Sequence, residues 1–70
     1  MYMSSNLFRF IRQSRGLTQK SLSEMLGISE PMVCMIEKGK KNVSDRVNKK
    51  LRELFGDEYV DKCRKFLEEN

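Results

Sequence analysis

Gly16-Leu17-Thr18-Gln19, then Leu22, Leu26-Gly27-Ile28-Ser29, Val33 and Ile36-Glu37-Lys38-Gly39-Lys40 make up the stretch of this 70-residue chain that decides its architecture. Thr18 is a residue type that caps helix N-termini. Leu22, Met25 and Leu26 behind it repeat at the i, i+3, i+4 spacing of one helical face. Gly27 ends that helix. Ser29 caps a further helix almost at once, Pro31 is tolerated in its first turn because the missing N–H has no partner there, and Val33 and Ile36 point inward. A glycine-containing connection of about four residues turns the second helix sharply instead of folding it back as an antiparallel hairpin. Two short helices set at a corner are therefore expected, the first running from Gln19 to Leu26.

The same punctuation continues outward. Upstream, Asn6 is the expected N-cap of a helix that carries Leu7, Phe8, Phe10 and Ile11 to Ser14 and is closed by Gly16. Downstream, Ser44 or Asp45 caps a helix with Val47, Leu51, Leu54 and Phe55 at i, i+4, i+7, i+8, and Gly56 stops it. A last helix from near Asp57 places Tyr59, Val60, Cys63, Phe66 and Leu67 on one stripe. Every segment has helical and none has alternating periodicity. The expectation is an all-α chain of five helices forming a single domain over residues 1–70, without internal repeat, linker or low-complexity segment.

Composition agrees with one small folded unit. Hydrophobic residues make up 39% and charged residues 34% of the chain, which separates it from disordered sequences. At this length the core is thin, and tight helix packing or a partner subunit is needed for comfortable stability. There is no histidine, so Ser/His/Asp and Cys/His nucleophile arrangements and zinc sites built on imidazole are excluded. Cys34 and Cys63 form no Cys-x-x-Cys pair and read as packing or surface residues in a reducing cytoplasm. Scattered carboxylates and the lack of a phosphate-cradling glycine loop argue against an enzyme. No cofactor, metal or small-molecule ligand is expected. No apolar run approaches the roughly 20 residues that cross a bilayer, and a membrane partner is not expected.

The net charge of +4 conceals an asymmetry. Residues 1–56 carry 11 basic and 5 acidic groups, whereas 57–70 carry 3 basic and 5 acidic ones. Lys38, Lys40, Lys41, Arg46, Lys49, Lys50 and Arg52 form the centre of the basic part. Lys49, Lys50 and Arg52 read as a solvated helix face. Lys38 to Asn42 read differently: in a loop directly after the second helix of the corner, ammonium groups and free backbone N–H groups reach phosphates beside a nucleic-acid groove.

The Thr-Gln opening, the Leu-Gly-Ile-Ser corner and the Ile-Glu-Lys-Gly-Lys exit resemble the Cro/phage-repressor (Xre) helix-turn-helix family over roughly Phe8 to Phe55. The resemblance implies a lambda-repressor-like five-helix bundle whose second and third helices form the helix-turn-helix. It also implies a homodimer that presents two recognition helices to successive major grooves of an inverted-repeat operator in double-stranded DNA. Residue by residue, it gives Thr18 and Gln19, with Lys38, Lys40, Lys41 and Asn42, to DNA phosphates. It gives Ser29, Glu30, Pro31, Met32 and Met35 to base edges, and makes Arg12 and Glu37 an ion pair between the first and third helices. The function implied is sequence-specific regulation of transcription, most simply a phage or mobile-element repressor that acts by occupying its operator, because 70 residues leave no room for a ligand sensor.

The recognition helix departs from the family pattern, because Glu30, Pro31, Met32, Cys34 and Met35 include no bidentate reader of guanine or adenine. Glu30 is able to accept from a cytosine amino group, and Met32 or Met35 to pack on a thymine methyl. DNA shape and phosphate clamps are a further source of specificity. In the competing reading, Met32, Cys34 and Met35 form an adaptable surface through which a helix-turn-helix scaffold binds and inhibits another protein. The apolar stripe of the last helix exceeds what core closure needs, so Tyr59, Cys63, Phe66 and Leu67 are expected at a two-fold interface.

Overall fold

A computed structural model describes residues 2–69; Met1 and Asn70, the ends of the expected domain, lie outside the described residues. Five α-helices follow one another: α1 Ser5–Ser14, α2 Gln19–Leu26, α3 Glu30–Glu37, α4 Asp45–Phe55 and α5 Asp57–Glu69. Four begin with a hydroxyl cap. Ser4, Thr18, Ser29 and Ser44 each accept, in extended backbone conformation, from the N–H three residues ahead, satisfying a donor that has no partner within the helix.

The start of α1 corrects the sequence-based expectation. Ser4 is the N-cap, its hydroxyl 3.1 Å from the Leu7 N–H, while Asn6 lies exposed within the first turn. The reason lies on either side of the cap. Met3 before it and Phe8 in the second turn both enter the core, the disposition of a hydrophobic staple that fixes how the chain enters a helix. At α4 the cap is Ser44, leaving Asp45 as the acidic residue of the first turn.

The corner between α2 and α3 depends on Gly27, whose φ of 73° and ψ of 30° place it in the left-handed region. From there its N–H reaches the Glu24 carbonyl, and the Ile28 N–H reaches that of Ser23 at 3.0 Å, so that α2 ends in a Schellman motif. Val33 and Leu22, one from each helix, are fully buried. Helix α1 packs on both α3 and α5, and α4 packs on α5 and α2. A single core results, in which Phe8, Ile11, Leu22, Ile36, Leu51, Val33 and Val60 are the largest side chains sealed from solvent. Among the described residues, no helix is long and apolar enough to cross a membrane.

Helix α4 buries Val47, Asn48 and Leu51 and leaves Leu54 exposed, so its apolar stripe only partly faces inward. Truncation at the two kinds of position should separate cleanly. Phe8→Ala is expected to cost about 3–5 kcal/mol, comparable to the whole stability of so small a core, and to leave the chain largely unfolded at 25 °C by circular dichroism. Leu54→Ala is expected to change stability by less than about 1 kcal/mol.

Candidate nucleic-acid interface

One buried carboxylate organises the corner. The Glu37 side chain, 3% exposed at the last turn of α3, faces Arg12 at the last turn of α1. Arg12 Nε donates to Glu37 Oε2 at 2.6 Å and Nη2 donates to Oε1 at 3.0 Å, a two-bond fork that fixes direction as well as distance. Arg12 Nη1 donates to the Leu17 carbonyl at 2.8 Å, and the Leu17 N–H returns a bond to the Arg12 carbonyl. Gln19 Nε2, in the first turn of α2, donates to Glu37 Oε1 at 3.1 Å. Helices α1, α2 and α3 are thus tied to one acceptor group, and the turn between the first two is held by Arg12.

The hydrogen bond to Glu37 is the largest influence on Arg12 and raises the pKa of its guanidinium, outweighing the opposing effect of partial burial. A raised folded-state pKa stabilises the fold at every pH below the range where arginine titrates and is lost only above it. The cation is therefore permanent in the neutral range.

Glu37, Val33 and Ile36 turn inward, which sets the opposite face of α3 outward. Glu30 and Pro31 are exposed, Cys34 and Met35 are half-buried, and Lys38 stands exposed at the end of the helix. Met32 separates from this group. It packs against the core and lines a hollow with Ile28, Lys41, Asn42, Ser44 and Arg46, so that Met35 is the methionine on the outward side. Ser29, expected at a base edge, is exposed, and its hydroxyl caps α3 at 3.2 Å from the Met32 N–H.

The loop after α3 revises one expectation. Gly39, at φ 77°, donates to the Ile36 carbonyl, and Lys40 donates to Met35 at 2.9 Å, a second Schellman closure. The N–H groups of Lys38 and Lys41 are also bonded within the chain. The backbone of residues 38–41, expected to be free for phosphates, is instead consumed in ending the helix, which leaves the ammonium groups to project. Lys38, Lys40, Lys41 and Asn42 are exposed. Arg46, also exposed, shares the hollow with Lys41 and Asn42. In the sequence Arg46 stands out only as part of the basic run and not as a site residue, although its place in the first turn after the loop is the available signal. The Thr18 hydroxyl caps α2 and donates to Ser21 Oγ, and Gln19 is half-buried beside it.

A helix-turn-helix of this shape, with its second helix outward and flanked by cations, has a counterpart in known proteins: the family model described as helix-turn-helix matches residues 8–59. The chain belongs to the Cro/Xre-like helix-turn-helix family. That family is one of DNA-binding transcriptional regulators and not of enzymes. No curated protein and no solved structure matches the chain in the corresponding searches.

The remaining predicted residues lie across the molecule on α5. Phe66 is 54% exposed and stacks on Phe10 of α1 with ring centroids 5.4 Å apart. Tyr59 and Leu67 are half-buried, and the Tyr59 hydroxyl is hydrogen-bonded to that of Ser14. Cys63 is a correction. It is 5% exposed and belongs to the core, so it has almost no surface to offer a partner. Phe10, which the sequence reading places only in a helix, takes its place. Arg15 lies over the rings of both Phe55 and Tyr59, at 5.6 and 5.2 Å, extending the aromatic surface with a cation.

The Arg12–Glu37 pair gives a test whose outcome depends on burial. Arg12→Ala strands a carboxylate in the interior and is expected to cost about 3 kcal/mol or more, whereas Arg12→Met with Glu37→Leu removes both charges and stays within about 1 kcal/mol of the parent. Urea unfolding measures both. A loss below about 0.5 kcal/mol for Arg12→Ala would show that the pair behaves like a solvated one.

Proposed function

We propose that this chain is a transcriptional repressor of phage or mobile-element type that acts as a homodimer by occupying an inverted-repeat operator. The observation that carries the reading is the outward side of α3, with Glu30 and Pro31 exposed and the exposed cations Lys38, Lys40 and Lys41 following its C-terminal end, joined by Arg46 from the first turn of α4. A rigid helix with cations along its margins suits the major groove, which admits a helix between two rows of phosphates. Gln19, with Thr18 at the positive end of the α2 dipole, and Asn42 with the lysines contact the sugar-phosphate backbone. The contact of Gln19 with Glu37 supports this role, since it fixes the orientation of the amide and leaves its second Nε2 proton for a phosphate oxygen.

The exposed Phe66 on Phe10, with Tyr59 lining the same hollow, supports a two-fold interface between α5 helices, whereas Leu67 lines a separate hollow with Tyr2 and Leu7. Two recognition helices then meet half-sites about 10 base pairs apart, one turn of duplex. Bound there, the dimer blocks polymerase by exclusion.

Two measurements test this. In titrations of duplexes enriched from a random pool, affinity should fall steeply with salt, and replacing Lys40 and Lys41 with alanine should flatten the slope by about 1 for each phosphate left without its lysine. In sedimentation, the parent should be dimeric at micromolar concentration and Phe66→Glu monomeric, with operator affinity reduced about 100-fold or more because the second half-site is no longer bound by the same particle. Failure of the parent chain to retain any duplex would overturn the reading in favour of a protein partner.

A further inference from the structure

We infer that the outward face of α3 recognises the 5-methyl groups of pyrimidines, chiefly thymine, together with an exocyclic amino group opposite Glu30; this rests on the DNA-binding reading above. The Glu37 carboxylate, the one other charged group of α3, is sealed inside and bonded to Arg12 and Gln19. Met32 is drawn to the core. What remains on the outward side is the exposed Glu30 and Pro31 and the half-buried Cys34 and Met35, with exposed Lys38 only at the far end.

Such a face has no forked donor. Guanine presents two acceptors, N7 and O6, in the major groove, and is ordinarily read by arginine or lysine. Opposite Glu30 those acceptors meet a carboxylate, and the contact is repulsive. Cytosine N4 and adenine N6 are amino groups, which satisfy the same carboxylate. Thymine adds a methyl group that an apolar surface takes out of water, and an unbranched thioether adapts to fit it. A carboxylate and an apolar surface are tolerated between two rows of phosphates because Lys38, Lys40, Lys41 and Arg46 supply the attraction around them. Discrimination on this face therefore comes from methyl burial and from penalties against the wrong edge.

The test uses the full chain and a duplex pool with a random core. The enriched duplex is then synthesised with uracil in place of thymine, one position at a time, and separately with 5-methylcytosine·guanine or cytosine·guanine at the same positions. At one or two positions per half-site, loss of the thymine methyl should weaken binding about three- to tenfold, as burial of a single carbon group implies. At those positions 5-methylcytosine should bind more tightly than cytosine by a similar factor. Met35→Ala, checked for folding by circular dichroism, should abolish the sensitivity while keeping the salt dependence, and Met32→Ala should not. The substitutions in the DNA cannot disturb the protein fold and stand on their own. Equal binding of every uracil duplex would overturn methyl recognition while leaving the DNA-binding reading intact. Enrichment of no sequence, or retention of no duplex, would overturn both.

Discussion

The outward side of the helix-turn-helix depends on a carboxylate that has no business in the interior unless it is fully engaged. Glu37 accepts from Arg12 twice and from Gln19 once, and those bonds fix three helices relative to one another. A carboxylate buried without such partners would cost several kcal/mol or take up a proton. The constraint is geometric as well as energetic. With Glu37 pinned inward at the end of α3, the helix is held in rotation about its axis, with Val33 and Ile36 in the core and Met35 on the other side. The outward face is thus selected from the opposite side of the helix.

The same constraint links stability to recognition. Gln19 bonds to Glu37 and also sits at the positive end of α2, so the group that orients α3 also orients a candidate phosphate ligand. Thin cores gain little from each contact, and a short helix such as α3 has little intrinsic stability in water. Tying it to α1 through charge-assisted bonds holds its outward surface rigid without a larger core.

Much of this is legible in the chain. The hydroxyl caps Thr18 and Ser29 and the glycines after α1, α2 and α3 mark local backbone chemistry, which depends on a few neighbouring residues. The bounds of α2 are those expected, although Met25 of its expected apolar face is exposed and Ser23 is buried beside Leu22 and Leu26, and at α4 the sequence leaves Ser44 and Asp45 as equal caps. The cap at Ser4 is not, because Asn6 and Ser4 are both competent caps, and the choice between them is made by Met3 and Phe8 in the core, a tertiary effect. Cys63 is hidden for a related reason. A stripe on α5 is wide enough to serve both core and surface, and only the packing of α1 shows which edge is covered. The consumed N–H groups of residues 38–41 and the bond from Gln19 to Glu37 join positions whose relation is set by three-dimensional closure, which sequence spacing does not carry. Met32 and Met35, equivalent in composition, are separated only by the angle of α3.

Methyl-resolved NMR of the methionines and amide NMR during titration with an enriched duplex show whether the Glu37 clamp turns the Met35 face of α3 to the groove. Large shifts are expected at the Met35 methyl and the amides of Cys34, Lys38 and Asn42, with smaller changes at Met32 and no duplex-induced change at Phe66. Shifts centred on α5 with Met35 unmoved would contradict that orientation.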